Sequence, residues 1–209
     1  MSTVYTKIFN PPPFDRGEIL RYAGAKESIP EIEKLIDECI EETKDKLVYK
    51  VCYGHFPTSF LQVKSEIIAR NLSGCKSIVL FAATVGIELD RLIARYGKIS
   101  PAKALIFQAI GAERIERLCD EFCRFTVEEY GHTKPRFSPG YGDLPLEAQK
   151  DFFRVLEPSK RIGLTLNESM LMTPSKSVTA IIGITDEETT EKKGCTTCNK
   201  KDCIFRRTL

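Results

Sequence analysis

The sequence predicts an α+β domain, a central, largely antiparallel twisted sheet flanked by helices. Three observations lead there. Apolar runs of strand length stand far apart in the chain, the most continuous being Ser77–Ala83. Two such runs flank a short turn-like segment, Gly54-His55-Phe56-Pro57, in the manner of a hairpin. Between the strands lie helices with one apolar face, the longest opening at Ser100-Pro101.

Taken in order, Val4–Phe9 alternates like a short strand, and Pro11-Pro12-Pro13 then enforces an extended link. Asp15 is placed to cap a short helix, Gly17–Tyr22, which Gly24 stops. A second helix follows Pro30, with Ile32, Leu35, Ile36, Cys39, Ile40 and Leu47 at three- and four-residue spacing. Leu47–Tyr53 and Thr58–Val63 read as the two hairpin strands, Ser77–Ala83 as a strand buried on both faces, and Gly86 as the start of a short amphipathic helix. The long helix runs from Ser100-Pro101, a cap and first-turn pair, to Gly131. Thr133–Leu144 holds two prolines, two glycines and no periodicity, which predicts an ordered loop. Leu146–Leu156 reads as a helix ended by Pro158, and Ile162–Leu166 and Ser177–Ile184 read as strands. Residues 1–185 are expected to form one domain; 186–194 is a charged, Thr-rich linker to a cysteine-bearing tail ending at 209.

With 209 residues, 31 Lys+Arg against 29 Asp+Glu and a net charge of +2, the chain has no bulk basic field for nucleic acid. Its 42% hydrophobic and 29% charged residues suit a globular core rather than a disordered chain. The longest nearly uncharged apolar run, Ser77–Ile87, falls short of the roughly 20 residues of a membrane span, and no secretory apolar region precedes the prolines. The expectation is a cytoplasmic protein with neither membrane nor nucleic acid as partner.

Without an export signal, the eight cysteines are expected as thiols or metal ligands rather than disulfides. Cys39, Cys52, Cys75, Cys119 and Cys123 sit among apolar neighbours as small hydrophobes. Cys195, Cys198 and Cys203 differ, because Cys-x2-Cys-x4-Cys brings three thiolates within reach of zinc or an iron–sulfur cluster. A fourth ligand would have to come from elsewhere, Cys75 or a neighbouring protein; reversible dithiol chemistry and unliganded thiols are the other readings.

The loop Arg136-Phe137-Ser138-Pro139-Gly140-Tyr141-Gly142-Asp143 gathers a guanidinium, two glycines and an aromatic ring between two helices. Arg can grip a carboxylate, Gly admits close backbone approach and Tyr supplies a flat face or a hydroxyl. That suits a small zwitterionic or nucleoside ligand, against the plainer reading of a rigid connector with a surface arginine.

Arg136-x-x-x-Gly140-Tyr141, then Pro145-Leu146-Glu147, then Leu164-Thr165-Leu166-Asn167-Glu168-Ser169 running on through Met170, Met172, Pro174 and Ser177-Val178, resembles the activation domain of cobalamin-dependent methionine synthase. The similarity is strongest from Ala109 to Ile184. It implies an S-adenosylmethionine site in which Arg136 binds the methionine carboxylate, Pro139, Gly140 and Tyr141 surround the adenosine, and Glu116 lies near the ligand amino group. Glu168 and Ser169 would take a supporting role, and Met170 and Met172 would line core or groove. The implied chemistry is methyl transfer to a reduced cobalt centre, restoring methylcobalamin. The protein positions the sulfonium methyl and excludes water, so no general base and no catalytic side chain are expected.

His55 and His132, the only histidines, form no Asp-x-His-x-x-Gly corrinoid motif, so the cobalamin is expected on a partner corrinoid protein or methionine synthase core, with an electron donor such as flavodoxin or ferredoxin. The chain is too short for the homocysteine and folate barrels, each of roughly 250 residues. It departs from the family in lacking Tyr or Trp after Tyr141, where an aromatic ligand contact is expected, and in carrying the cysteine tail. A redox or interaction module using that tail is the alternative; a different nucleoside or amino acid ligand is a third reading.

Overall fold

The computed structural model describes residues 3–10, 12–25, 27–60 and 65–187. Four strands, β1 (Val4–Ile8), β2 (Lys50–Pro57), β3 (Cys75–Thr84) and β6 (Ser177–Thr185), form a sheet in the order β1-β2-β3-β6, with every neighbouring pair antiparallel. A separate two-stranded hairpin joins β4 (Thr165–Leu166) to β5 (Met172–Thr173). The expected α+β architecture is present.

Helices cover both faces, and the strand period of two divides the core accordingly. Val51, Tyr53, Val79, Phe81, Ala83, Ala180 and Ile182 face one cluster with α1 (Arg16–Ala23), α2 (Pro30–Thr43), α4 (Glu88–Ile99) and α5 (Pro101–Tyr130). Cys52, Phe56, Ile78, Leu80, Ala82 and Ile181 face the other, with α3 (Glu66–Asn71), α6 (Gln149–Leu156) and the four-residue α7 (Pro158–Arg161) nearby. Each large apolar side chain taken fully from water contributes about 1.5–3 kcal/mol, so the two-sided core explains why β3 is an unbroken apolar run. Burial pushes the Cys39 and Cys52 thiols up to about 12 and holds Cys119 well above its ordinary range, as expected of small core hydrophobes.

α5 is the organising rod, 30 residues and about 45 Å long. Ser100 caps it, its hydroxyl accepting from the Lys103 amide, and Gly131 ends it. Its buried Arg114 pairs with Glu113 and donates to the carbonyls of Pro12 (2.6 Å) and Pro13 (2.8 Å). Glu113 in turn accepts from the Asp15 amide at 3.2 Å. This buried pair clamps the proline link to α5 and sets α1 beside the helix. Asp15 also caps α1, as its position before the apolar pattern indicated.

The hairpin expected around Gly54-His55-Phe56-Pro57 does not exist. β2 runs straight through the segment, with Gly54, His55 and Phe56 opposite Leu80, Val79 and Ile78. Gly54 is required by packing rather than by a turn: a Cβ there would lie 2.7 Å from the Phe56 ring. Thr58–Phe60 is a single 3-10 turn, residues 61–63 of the expected second strand lie outside the described set, and α3 follows where no helix was expected. Two smaller differences concern α2, which ends at Thr43 before Leu47, and Ile162–Leu166, where only Thr165 and Leu166 pair. Pro158 ends one helix and opens the next, its missing N–H being harmless in a first turn.

Candidate ligand-binding site

After α5 the chain runs beside the free edge of β6. The Thr185 amide donates to His132 O (3.0 Å), the Lys134 amide to Gly183 O (2.8 Å), and Phe137 and Ile181 exchange both backbone bonds (2.9 and 2.8 Å). Beyond Phe137 the loop turns away. The Tyr141 amide donates to Ser138 O at 3.3 Å, the Gly140 amide to Leu144 O at 2.9 Å, and Gly140 sits at φ +88°, in the left-handed region that favours glycine. Asp143 then pins the loop to α3: its carboxylate accepts from the Glu66 amide (2.7 Å) and from the Ser65 hydroxyl. These bonds hold the carboxyl below the ordinary Asp range, the Ser65 bond most.

Where loop and strand diverge a cleft of about 370 Å³ opens, within the ~300–1,000 Å³ typical of small-molecule sites. The loop contributes Arg136 through Pro139 and Tyr141; Glu116 of α5, Gln149 of α6 and Met172 of β5 close the sides, and Ser177, Val178 and Thr179 of β6 form the floor. The Arg136 guanidinium, mostly buried, donates through Nη2 to Glu116 (2.7 Å) and through Nη1 to Asp120 (2.6 Å). Burial disfavours its charge, yet the surrounding acidic groups outweigh that and hold its pKa above the ordinary arginine value. A second pocket, about 160 Å³, adjoins across Glu116 and is lined by Asp15, Glu18, Glu113, Arg117 and Asp120. Arg117 pairs there with Asp15 at 2.8 Å. The combined surface carries two guanidiniums, Arg136 and Arg117, against the five carboxylates of Asp15, Glu18, Glu113, Glu116 and Asp120.

Of the residues singled out by sequence, Arg136, Glu116, Pro139 and Tyr141 line the cleft together, Pro139 buried and Tyr141 68% exposed at the rim. Gly140 shapes the turn between them without being part of the wall. Glu168 and Ser169 do not join them: both are exposed on the turn between β4 and β5, where Asn167 takes the Leu171 amide on its side chain (2.9 Å). Met172 from the same hairpin lines the cleft; Met170, at φ 60°, does not. Cys195, Cys198 and Cys203 lie outside the described residues, and among the described residues no group of three or more His, Cys, Asp or Glu is placed to hold a metal. Sequence reading missed Asp120, Gln149 and Thr179. Asp120 was open to detection, four residues from Glu116 on one helix face.

Among the described residues no helix is long and apolar enough to cross a membrane. A solved structure described as the MetH reactivation domain bound to AdoHcy matches this fold with a TM-score of 0.59 at 17% sequence identity, covering 90% of this chain and 80% of that one. A model of the family described as vitamin B12 dependent methionine synthase, activation domain, matches residues 59–193, well over half of the 209 residues, and the chain belongs to that family.

Proposed function

We propose that the cleft binds S-adenosylmethionine and presents its methyl group toward a cobalamin carried by a partner corrinoid protein or methionine synthase core. The carrying observation is Arg136, braced by Glu116 and Asp120 at the boundary between a nucleoside-sized cleft and an acidic pocket. The donor set fits the ligand's three charges. Of the five guanidinium N–H groups, three serve Glu116, Asp120 and the Cys123 sulfur, which leaves two donors for an amino-acid carboxylate. Glu116 and the neighbouring carboxylates suit the ammonium and the sulfonium. Tyr141 at the rim offers a face for the adenosine, and the bare floor of β6 offers backbone polar groups. The structure described as bound to AdoHcy supports this ligand class, since AdoHcy is what S-adenosylmethionine becomes on losing its methyl.

Cobalamin, when brought by the partner, supplies the reduced cobalt that accepts the methyl, with the electron coming from a donor such as flavodoxin or ferredoxin. This chain's own residues bind, orient and exclude water; nothing in the cleft is required to move a proton. In this reading residues 1–185 are the binding domain and 186–209 an appended tail. Cys195, Cys198 and Cys203 would hold zinc or an iron–sulfur cluster, which iron, zinc and sulfide analysis of anaerobically purified protein decides.

Calorimetry tests the binding step. Saturable binding of S-adenosylmethionine is expected, and no binding by folded protein overturns the proposal. Adding a reduced corrinoid protein should then yield methylcobalamin and S-adenosylhomocysteine together.

A further inference from the structure

Three buried side-chain atoms among the described residues have no hydrogen-bond partner: Asn71 Oδ1, Gln149 Oε1 and Thr179 Oγ1. Such atoms are rare in folded proteins, because each forfeits its bonds to water without replacement. Two of the three line the same cleft. Gln149 is 6% exposed and Thr179 2% exposed, so solvent does not satisfy them from outside. Gln149 is the first residue of α6, and Thr179 lies on the sheet face that α6 covers, in step with Ile181.

The backbone beside them is incomplete in the same way. Ile181 turns its N–H and C=O outward to Phe137. By the two-residue period, Thr179 turns its own N–H and C=O outward as well, and among the described residues no backbone group takes them. Ser177 is different, since its hydroxyl donates to Pro174 O (2.8 Å) and accepts from the Thr84 hydroxyl (2.9 Å). The unmet demand is therefore focused on Gln149 and Thr179.

We infer that Gln149 and Thr179 are specificity-determining contacts of the ligand, taking the donor-bearing edge of its nucleoside half: an amine N–H or a hydroxyl O–H satisfies Gln149 Oε1 while Thr179 closes the remaining bonds. The inference rests on the nucleoside-binding reading given above and adds to it which residues read the nucleoside. The amino-acid half is served by Arg136 and Glu116, and the expected Pro139, Gly140 and Tyr141 surround the base without presenting a buried, unmatched polar side chain. Because the two oxygens are unpaired before binding, removing them relieves the free protein while it weakens the complex; a merely structural polar group would act in the opposite sense on stability.

The test is calorimetry of the full chain with S-adenosylhomocysteine, its inosyl analogue, and its 2′-deoxy and 3′-deoxy analogues, together with melting of the unliganded protein. The wild type is expected to lose about ten-fold in affinity on at least one analogue, the inosyl arm identifying an amine and the deoxy arms a hydroxyl. Gln149→Leu and Thr179→Val are each expected to bind S-adenosylhomocysteine about ten-fold more weakly, with a Tm equal to or above wild type, and Thr179→Ser should restore binding. Binding by both variants within about two-fold of wild type overturns the inference and leaves the nucleoside reading intact. Failure of wild type to bind any of the four probes overturns both.

Discussion

The outer edge of β6 has two halves with opposite fates. From Ile181 to Thr185 the edge is closed by the segment after α5, which supplies partners at His132, Lys134 and Phe137. From Ser177 to Thr179 no such segment follows among the described residues, because the loop turns away at Ser138 and Pro139 to reach α3 through Asp143. The same strand is thus paired at one end and lines the cleft at the other. A closed edge carries stability, whereas an edge left bare beside buried polar atoms carries an unmet demand for hydrogen bonds, which the proposed ligand would complete.

Substitutions in the two halves should separate accordingly, the largest effect falling in the closed half. Ile181→Ala removes a fully buried side chain under the segment carrying Phe137 and is expected to lower unfolding free energy by about 2–5 kcal/mol in urea titrations. If that loss were no larger than the change from Thr179→Val, the contrast between the halves would disappear. Arg136→Ala should instead weaken S-adenosylmethionine binding by about 1.5–3 kcal/mol, the scale of a lost charged hydrogen bond, read by calorimetry. An unchanged Kd would move the ligand away from the boundary of the two pockets.

Smaller effects sharpen how the loop is kept off the open half. Gly140→Ala places a side chain at φ +88° and about 3.2 Å from Leu146, and is expected to cost about 1 kcal/mol in thermal melts. The smallest effect concerns Asp143. Its folded pKa lies below its unfolded one, so its contribution is complete above the unfolded value and is lost as pH falls through the folded value. The loop should therefore stay anchored through the ordinary Asp range near pH ~3.9 and loosen only below it. In Asp143→Asn this acid-side step should be absent, as followed by Tyr141 backbone exchange.

Much of the fold was legible because its signals are local. Ser100-Pro101 and Gly131 bracket α5, Asp15 and Gly24 bracket α1, and each does so through its own backbone geometry. Gly54 and Pro57 misled because local chemistry there imitates a turn, while the actual constraint is the Phe56 ring lying where a Cβ would go. Half of the site was equally local: Arg136, Pro139 and Tyr141 lie in one loop, and Glu116 on the helix before it. Gln149 and Thr179 carry no sequence signal, since a glutamine opening a helix and a threonine in a strand are ordinary. Only the tertiary arrangement leaves Gln149 Oε1 and Thr179 Oγ1 without hydrogen-bond partners among the described residues.

Titration of isotope-labelled protein with S-adenosylhomocysteine, followed residue by residue in amide NMR spectra, addresses the binding cleft most directly. The expected shifts concentrate at Phe137 to Tyr141, Gln149 and Ser177 to Thr179, while His132 to Lys134 and the whole of β1 stay unmoved. Shifts centred elsewhere, or none at saturating ligand, would contradict a nucleoside site at the open half of β6.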